Sequence, residues 1–142
     1  MKPNQINLIR TSWDKVEPIA DTAASLFYGR LFELDPSIRP LFAHADIDKQ
    51  GKVLMQTLTV VVKSLDKLDT IVPAVQALGR RHAGYGVRAA DYETVGSALL
   101  WTLDQGLGPA FDEDTREAWT VAYQTLASVM LAAAEQAELA AA

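Results

Sequence analysis

Between Ile71 and His82 the inward-facing positions recur at intervals of four, three and four: Ile71, Val75, Leu78, His82. That spacing places all four on one face of an α-helix and conflicts with the two-residue period of a strand. The same helical period runs along the rest of the chain, and no convincing alternating stretch interrupts it. The fold is therefore expected to be all-α. The last member sets the stripe apart. A titratable, metal-competent imidazole stands where a core contact belongs. The chain holds two histidines and no cysteine. A metal bound here would have almost no ligand other than His82.

Breakers divide the pattern into seven or eight helices. The first is expected over Asn4 to Glu17, and the second from Pro18, a good first-turn residue, to Leu34. Asp35 is a candidate N-cap for a short helix ending near Phe42. Residues 43–48 read as a loop. A long helix is expected from Lys49 to Leu68. The His82 helix starts near Asp69 or Thr70 and stops before Gly84-Tyr85-Gly86. Asp91 is placed as the cap of the next helix, which ends at Gly106-Leu107-Gly108-Pro109. Asp112, Glu113 and Asp114 suit the start of the last helix, where the dipole favours carboxylates. Its Ala-rich tail is expected to fray. Residues 1–142 read as one domain, long enough to bury a core.

Composition excludes several classes. A net charge of −5 and a pI near 4.9 do not suit a nucleic-acid binder. Without cysteine there is no disulfide, iron–sulfur cluster or thiolate-ligated iron. No apolar run reaches the length of a membrane span, and no signal-peptide core follows Met1-Lys2-Pro3. Neither nucleic acid nor membrane is expected as a partner, and the cytoplasm is the default location. Gly84-x-Gly86-x-x-Ala89 fits a relaxed dinucleotide fingerprint, but a helix precedes it, so it reads as a turn. No flavin or nicotinamide domain is expected.

Tyr28, Phe42, Gln50 and His82 come from four different helices, and all are expected to point inward. Gln50 and Leu54 are four apart, and Leu58 and Val61 continue their face. Polar groups converging on an apolar pocket suggest a polar ligand inside it.

These residues carry a resemblance. Leu26-Phe27-Tyr28 with Asp35-Pro36 and Pro40-Leu41-Phe42 resembles the second and third helices of the globins. Leu78-Gly79-Arg80-Arg81-His82 with Gly86-Val87 resembles their proximal stretch. Asp91 to Gly96 with Leu99-Leu100, and Ala118-Trp119 with Ala122-Tyr123, resemble the last two helices. The blocks span essentially the whole chain in order. They are similar above all to single-domain bacterial haemoglobins and the haem domain of flavohaemoglobins, and at the proximal stretch to neuroglobin. The loop after Phe42 is about two residues shorter than in flavohaemoglobins, and the placement of Gln50 depends on that gap.

The resemblance implies a globin fold holding haem b. His82 would be the proximal iron ligand, Phe42 would stack on the porphyrin and Val87 would meet its edge. Arg81 would partner a propionate. Tyr28, Gln50 and Leu54 would line the gas side, with Tyr28 and Gln50 donating hydrogen bonds to bound oxygen. Tyr92 matches a tyrosine that in flavohaemoglobins joins the proximal histidine to a glutamate. Counted from Trp119 and Tyr123, the glutamate's position here is Ala134, with Glu135 next to it. One residue turns a helix by about 100°, so Glu135 would point elsewhere. His82 is then expected to bond a backbone carbonyl near Leu78.

Bland readings stand beside these. A lone histidine on an apolar face is more often a core residue than a ligand, and only the flanking blocks favour ligation. Tyr28 alone reads as a core tyrosine, and Gln50 as solvated surface. Phe42 alone reads as a helix-end plug, and Arg80 and Arg81 as surface charge. His44 is expected in solvent, and Trp13, Trp101 and Trp119 between helices. Lys49 and Lys52, which flank Gln50, are alternative distal ligands.

Three functions remain open. The chain is read first as a reversible binder of oxygen and other diatomic gases. The second reading is a nitric oxide dioxygenase with a separate reductase as partner. The third is a globin-fold protein without cofactor, against which His82 argues. Monomer and homodimer are both left open.

Overall fold

The computed structural model describes residues 1–141, with side chains described as far as Gln136. Among the described residues there are six α-helices and no strand: α1 Pro3–Val16, α2 Ala20–Leu34, α3 Ile47–Lys63, α4 Val72–Gly84, α5 Ala89–Leu107 and α6 Glu113–Ala141. Short 3₁₀ stretches join them, and the longest, Pro36–Phe42, raises the number of substantial helices to seven. None of these helices is long and apolar enough to cross a membrane. The expected fraying of the Ala-rich tail concerns side chains outside the described residues.

Local chemistry sets most boundaries. The Asp35 carboxylate accepts the Ser37 N–H at 3.0 Å and starts the segment to Phe42. That segment is 3₁₀ rather than α, because Pro40 within it has no N–H for an α ladder. Asp46 accepts the N–H groups of Asp48 and Lys49 at 3.0 and 3.3 Å. α3 therefore begins two residues earlier than Lys49. Asp91 is not the cap of α5. It lies at the third helical position, where its carboxylate accepts the Arg88 N–H at 2.8 Å. Asp112 accepts the Thr115 N–H at 2.9 Å at the start of α6.

The largest departure from expectation is the end of α3. The helix stops at Lys63, and Leu65–Thr70 turns as 3₁₀ with Lys67 off helical geometry. The cause is Arg10 on α1. Its guanidinium donates to the carbonyls of Val62 (3.2 Å) and Lys63 (3.1 Å) and pairs with Asp66 (2.8 Å). Carbonyls at a helix end need such donors. Here a residue more than 50 positions away supplies them.

Packing follows the apolar faces. Ile9, Trp13 and Val16 bury the inner face of α1. Trp13 and Trp119 meet with ring centroids 5.8 Å apart, tying α1 to α6. Their indole N–H groups donate to Thr59 (3.0 Å) and Ser12 (2.9 Å). Arg30 on α2 lies over the Trp101 ring of α5 at 5.2 Å. α2 crosses α3 at Ala24 and Gly51, and α4 crosses α6 where Gly79 meets the backbone of Met130. α3 and α4 do not pack against each other to any extent, which leaves a cleft between them.

Two glycines test this arrangement. A Cβ on residue 79 would strike the Met130 backbone, whereas one on residue 29 would meet nothing. Gly79→Ala should therefore lower unfolding free energy by about 1–3 kcal/mol. Gly29→Ala, on an exposed helical turn, should raise it by roughly 0.5–1 kcal/mol. Urea unfolding of both variants checks the pair. Equal effects would mean that α4 and α6 do not approach this closely.

Candidate functional site

The residues singled out from the sequence come from α2, the stretch after it, α3, α4 and α5. α4 contributes His82 near its C-terminal end, partly buried. Its Nδ1 lies 2.7 Å from the Leu78 carbonyl oxygen, one turn back. That contact makes Nδ1 the protonated nitrogen and leaves the lone pair on Nε2. No described residue hydrogen-bonds Nε2. The Val87 N–H, past the turn at Gly86, returns to the His82 carbonyl at 3.1 Å. Gly86 takes φ 91°, a conformation that side chains disfavour.

The aromatic wall comes from α2 and the stretch after it. Tyr28 is buried, its ring edge-on to Phe27 (5.1 Å between centroids) and to Phe42 (5.6 Å). Phe42 also meets Phe32 at 5.6 Å. Tyr28 and Phe42 are thus brought together although 14 positions apart. Burial pushes the Tyr28 pKa up to about 12. Its hydroxyl therefore keeps its proton and stays a donor.

α3 supplies the other wall. Leu54 and Leu58 are partly buried against the core. Gln50 is exposed in the first turns of α3, with Lys49 and Lys52 exposed beside it. Val53 and Val60 are 55% and 54% exposed. Counting about 100° per residue, both lie on the flank of the Gln50–Leu54 face turned away from α2. The apolar surface of α3 therefore extends past what any helix covers.

Tyr92 is buried on α5, and burial raises its pKa. Its carbonyl accepts the Tyr123 hydroxyl at 2.6 Å. The Tyr123 ring lies over Gly96, where a Cβ would come 2.8 Å from it. Burial, and secondarily the neighbouring Tyr92, push the Tyr123 pKa upward. Ala134 is half-buried, while Glu135 is exposed and hydrogen-bonds no described residue. Arg81 is exposed, as is His44. Sequence reasoning missed Gly51, Gly79 and the Tyr123 bond. A glycine inside a strongly helical stretch was the available signal for the first two.

The donor set says what the cleft can hold. The described residues contain no cluster of three or more His, Cys, Asp or Glu side chains able to hold a metal ion. One imidazole cannot retain a metal by itself. It can serve as the axial ligand of a group that brings its own equatorial ligands, as a porphyrin does. An uncovered apolar flank and a cleft between two helices suit such a flat, apolar group.

Comparison with known proteins agrees. The globin family model matches residues 25–130. The neuroglobin of Danio rerio is 31% identical over 137 residues, covering 87% of this chain and 86% of that protein. A flavohemoprotein of Vibrio cholerae serotype O1 is 29% identical over 128 residues, covering 89% of this chain. The chain spans only 32% of that relative's length. Among solved structures, an engineered carbene transferase derived from a putative nitric oxide dioxygenase of Rhodothermus marinus aligns with TM-score 0.89 and 25% identity, covering 99% of this chain and 97% of the other. A bacterial globin from Campylobacter jejuni aligns with TM-score 0.83 and 25% identity, covering 95% and 97%. With three quarters of its length inside the family match and the same helical architecture as these structures, the chain belongs to the globin family.

Proposed function

We propose that this globin holds haem b on His82 and binds oxygen and other diatomic gases reversibly beside Tyr28. The observation that carries the reading is the bond from His82 Nδ1 to the Leu78 carbonyl, which commits one ring nitrogen and leaves Nε2 free to ligate. Haem, when bound, supplies the iron and the open position at which a gas is held. The chain's own residues do the rest. Phe42 and Val87 would pack on the porphyrin, Leu54 would line the gas side and Tyr92 would support the side of His82. Arg81 pairs with a propionate. Tyr28 donates its hydroxyl proton to the negative end of a polarised gas, and Gln50 swings inward to donate its amide.

The proximal geometry favours reversible binding over redox turnover. A backbone carbonyl polarises the imidazole less than a carboxylate does, and Glu135 faces solvent. The second reading, a nitric oxide dioxygenase fed by a separate reductase, draws support from the Rhodothermus marinus and Vibrio cholerae relatives. Nitrate formed from nitric oxide and oxygen with a supplied reductase decides between them.

Three outcomes are expected. His82→Ala should lose haem, seen as loss of the Soret band, with partial recovery on adding imidazole. An unchanged five-coordinate ferrous spectrum in that variant without imidazole would overturn the assignment. Tyr28→Phe should speed oxygen release about 10- to 100-fold in stopped flow, because a hydrogen bond to a charge-bearing partner contributes roughly 1.5–3 kcal/mol. Gln50→Leu should act in the same direction and less strongly. A silent Gln50→Leu together with an effect at Lys49 or Lys52 would move the distal position.

The third outcome is alkaline. Folded Tyr28 holds its proton to about 12, against an ordinary value of 10.0. Above pH 10 the unfolded chain releases a proton that the folded chain keeps, so stability is full below pH 10 and falls as pH rises towards 12. The raised pKa values of Tyr92 and Tyr123 act with the same sign. Urea midpoints should drop less steeply over this range in Tyr28→Phe and Tyr123→Phe than in the parent protein.

A further inference from the structure

α4 depends on one neighbour for its position. Among the described residues it packs extensively against α6 and, beyond the short stretch before it, against nothing else to any extent. The two helices meet backbone to backbone at Gly79. This glycine has no positive φ, so close approach is what it is needed for. A Cβ on it would overlap the Met130 carbonyl oxygen and lie 2.6 Å from the Met130 Cα. Carbon atoms rest about 3.5–4.0 Å apart, so a side chain at 79 would push α4 off α6 by roughly 1 Å.

His82 is tied to this point twice. It stands on the same helix within a turn of Gly79. Its Nδ1–H donates at 2.7 Å to the carbonyl of Leu78, the residue before Gly79. The ring cannot swing to absorb a movement of α4 without giving up that bond. Residues three apart on a helix point about 60° apart. A shift away from α6 therefore runs largely across the direction of the imidazole and carries the Nε2 lone pair sideways. A binding group works within about 0.5 Å and 10–20° of its productive geometry, and a shift of roughly 1 Å exceeds that.

We infer that Gly79 is a positioning residue for His82: by presenting no side chain it lets the α6 backbone set the line along which Nε2 meets the haem iron, and with it the retention of bound gas. The inference rests on the haem reading above. Its effect differs in kind from that of Tyr28. The Tyr28 hydroxyl discriminates among gases by the charge they carry, whereas a misaligned imidazole weakens the hold on all of them.

The test is resonance Raman spectroscopy of the haem-loaded ferrous protein, with gas release followed by stopped flow. Gly79→Ala should lower the iron–imidazole stretching frequency. It should speed the release of oxygen and carbon monoxide by a similar factor, about three- to tenfold. Gly84→Ala, on the same helix where a Cβ meets nothing, should move neither reading. In the His82→Ala protein loaded with imidazole the ligand no longer hangs on α4, and there Gly79→Ala should move neither. An effect of equal size in that background would overturn the inference, because a change that merely loosens the fold acts with or without His82. An unshifted stretch in haem-loaded Gly79→Ala would overturn it too. Should that variant fail to hold haem, Ala83→Val carries the test. Ala83 is partly buried one turn on, about 40° around the helix from Gly79, and an unshifted stretch there counts against the inference in the same way. All these outcomes leave the haem reading standing, whereas absence of a Soret band in the parent protein would overturn both.

Discussion

At Gly79 the backbone of α4 rests on the backbone of α6 at Met130, with no side chain between them. Helices normally stand 8–10 Å apart because side chains intervene. Removing one lets α4 sink against α6 and away from α3. The consequence is the cleft. α3 is drawn the opposite way, against α2, by a second small-residue crossing at Ala24 and Gly51. Two helices held apart by close contacts to other partners leave apolar surface facing nothing, including Val53 and Val60. In a chain this short such surface is normally covered. Glycine placement therefore holds α3 and α4 apart.

The two buried indoles follow one pattern: each is satisfied across one helix pair by a hydroxyl that is itself satisfied within a turn. Trp119 donates to Ser12, whose hydroxyl donates to the Ile9 carbonyl at 2.9 Å. Trp13 donates to Thr59, whose hydroxyl donates to the Met55 carbonyl at 2.9 Å. Each relay ends on a carbonyl already inside a helix, so no buried donor is stranded. The Arg30 Nε is the described side-chain atom that is buried without a partner, and stacking on Trp101 compensates its guanidinium in part. The distal side differs in that the Tyr28 hydroxyl hydrogen-bonds no described residue. A donor left free beside a cleft is available to a ligand.

What could be read from the sequence was what is decided locally. The all-α class, the Asp35 cap, the acidic start of α6 and the turn after His82 depend on neighbours within four residues. The bond from His82 to Leu78 belongs here too, since one turn of helix brings that carbonyl under the ring. The end of α3 was out of reach, because Arg10 reaches it from more than 50 residues away. Asp91 was misplaced for a subtler reason. An aspartate suits both the N-cap and the third position of a helix, and only the extended backbone at Arg88 distinguishes them. At the site, Tyr28 and Phe42 converge as their apolar faces require. Gln50 is exposed, against the expectation that it points inward with the other three, because it lies in the first turns of α3 beside exposed Lys49 and Lys52.

The proximal side shows how fold and chemistry constrain each other. The Leu78 carbonyl lies one turn before His82, in position for both the helical N–H and the imidazole Nδ1–H. The ring is thus oriented by its own helix, and that helix is positioned by Gly79, one residue beyond Leu78. Ring orientation and helix docking cannot vary independently. A carboxylate from α6 would have offered a different control, adjustable by protonation and strong enough to charge the imidazole. Here Glu135 of α6 is exposed, and the Tyr92 carbonyl is taken by Tyr123. The imidazole is left with its Nδ1–H on a backbone carbonyl and with a fixed direction. The direction of the imidazole thus depends on the same stretch of α4 that packs against α6.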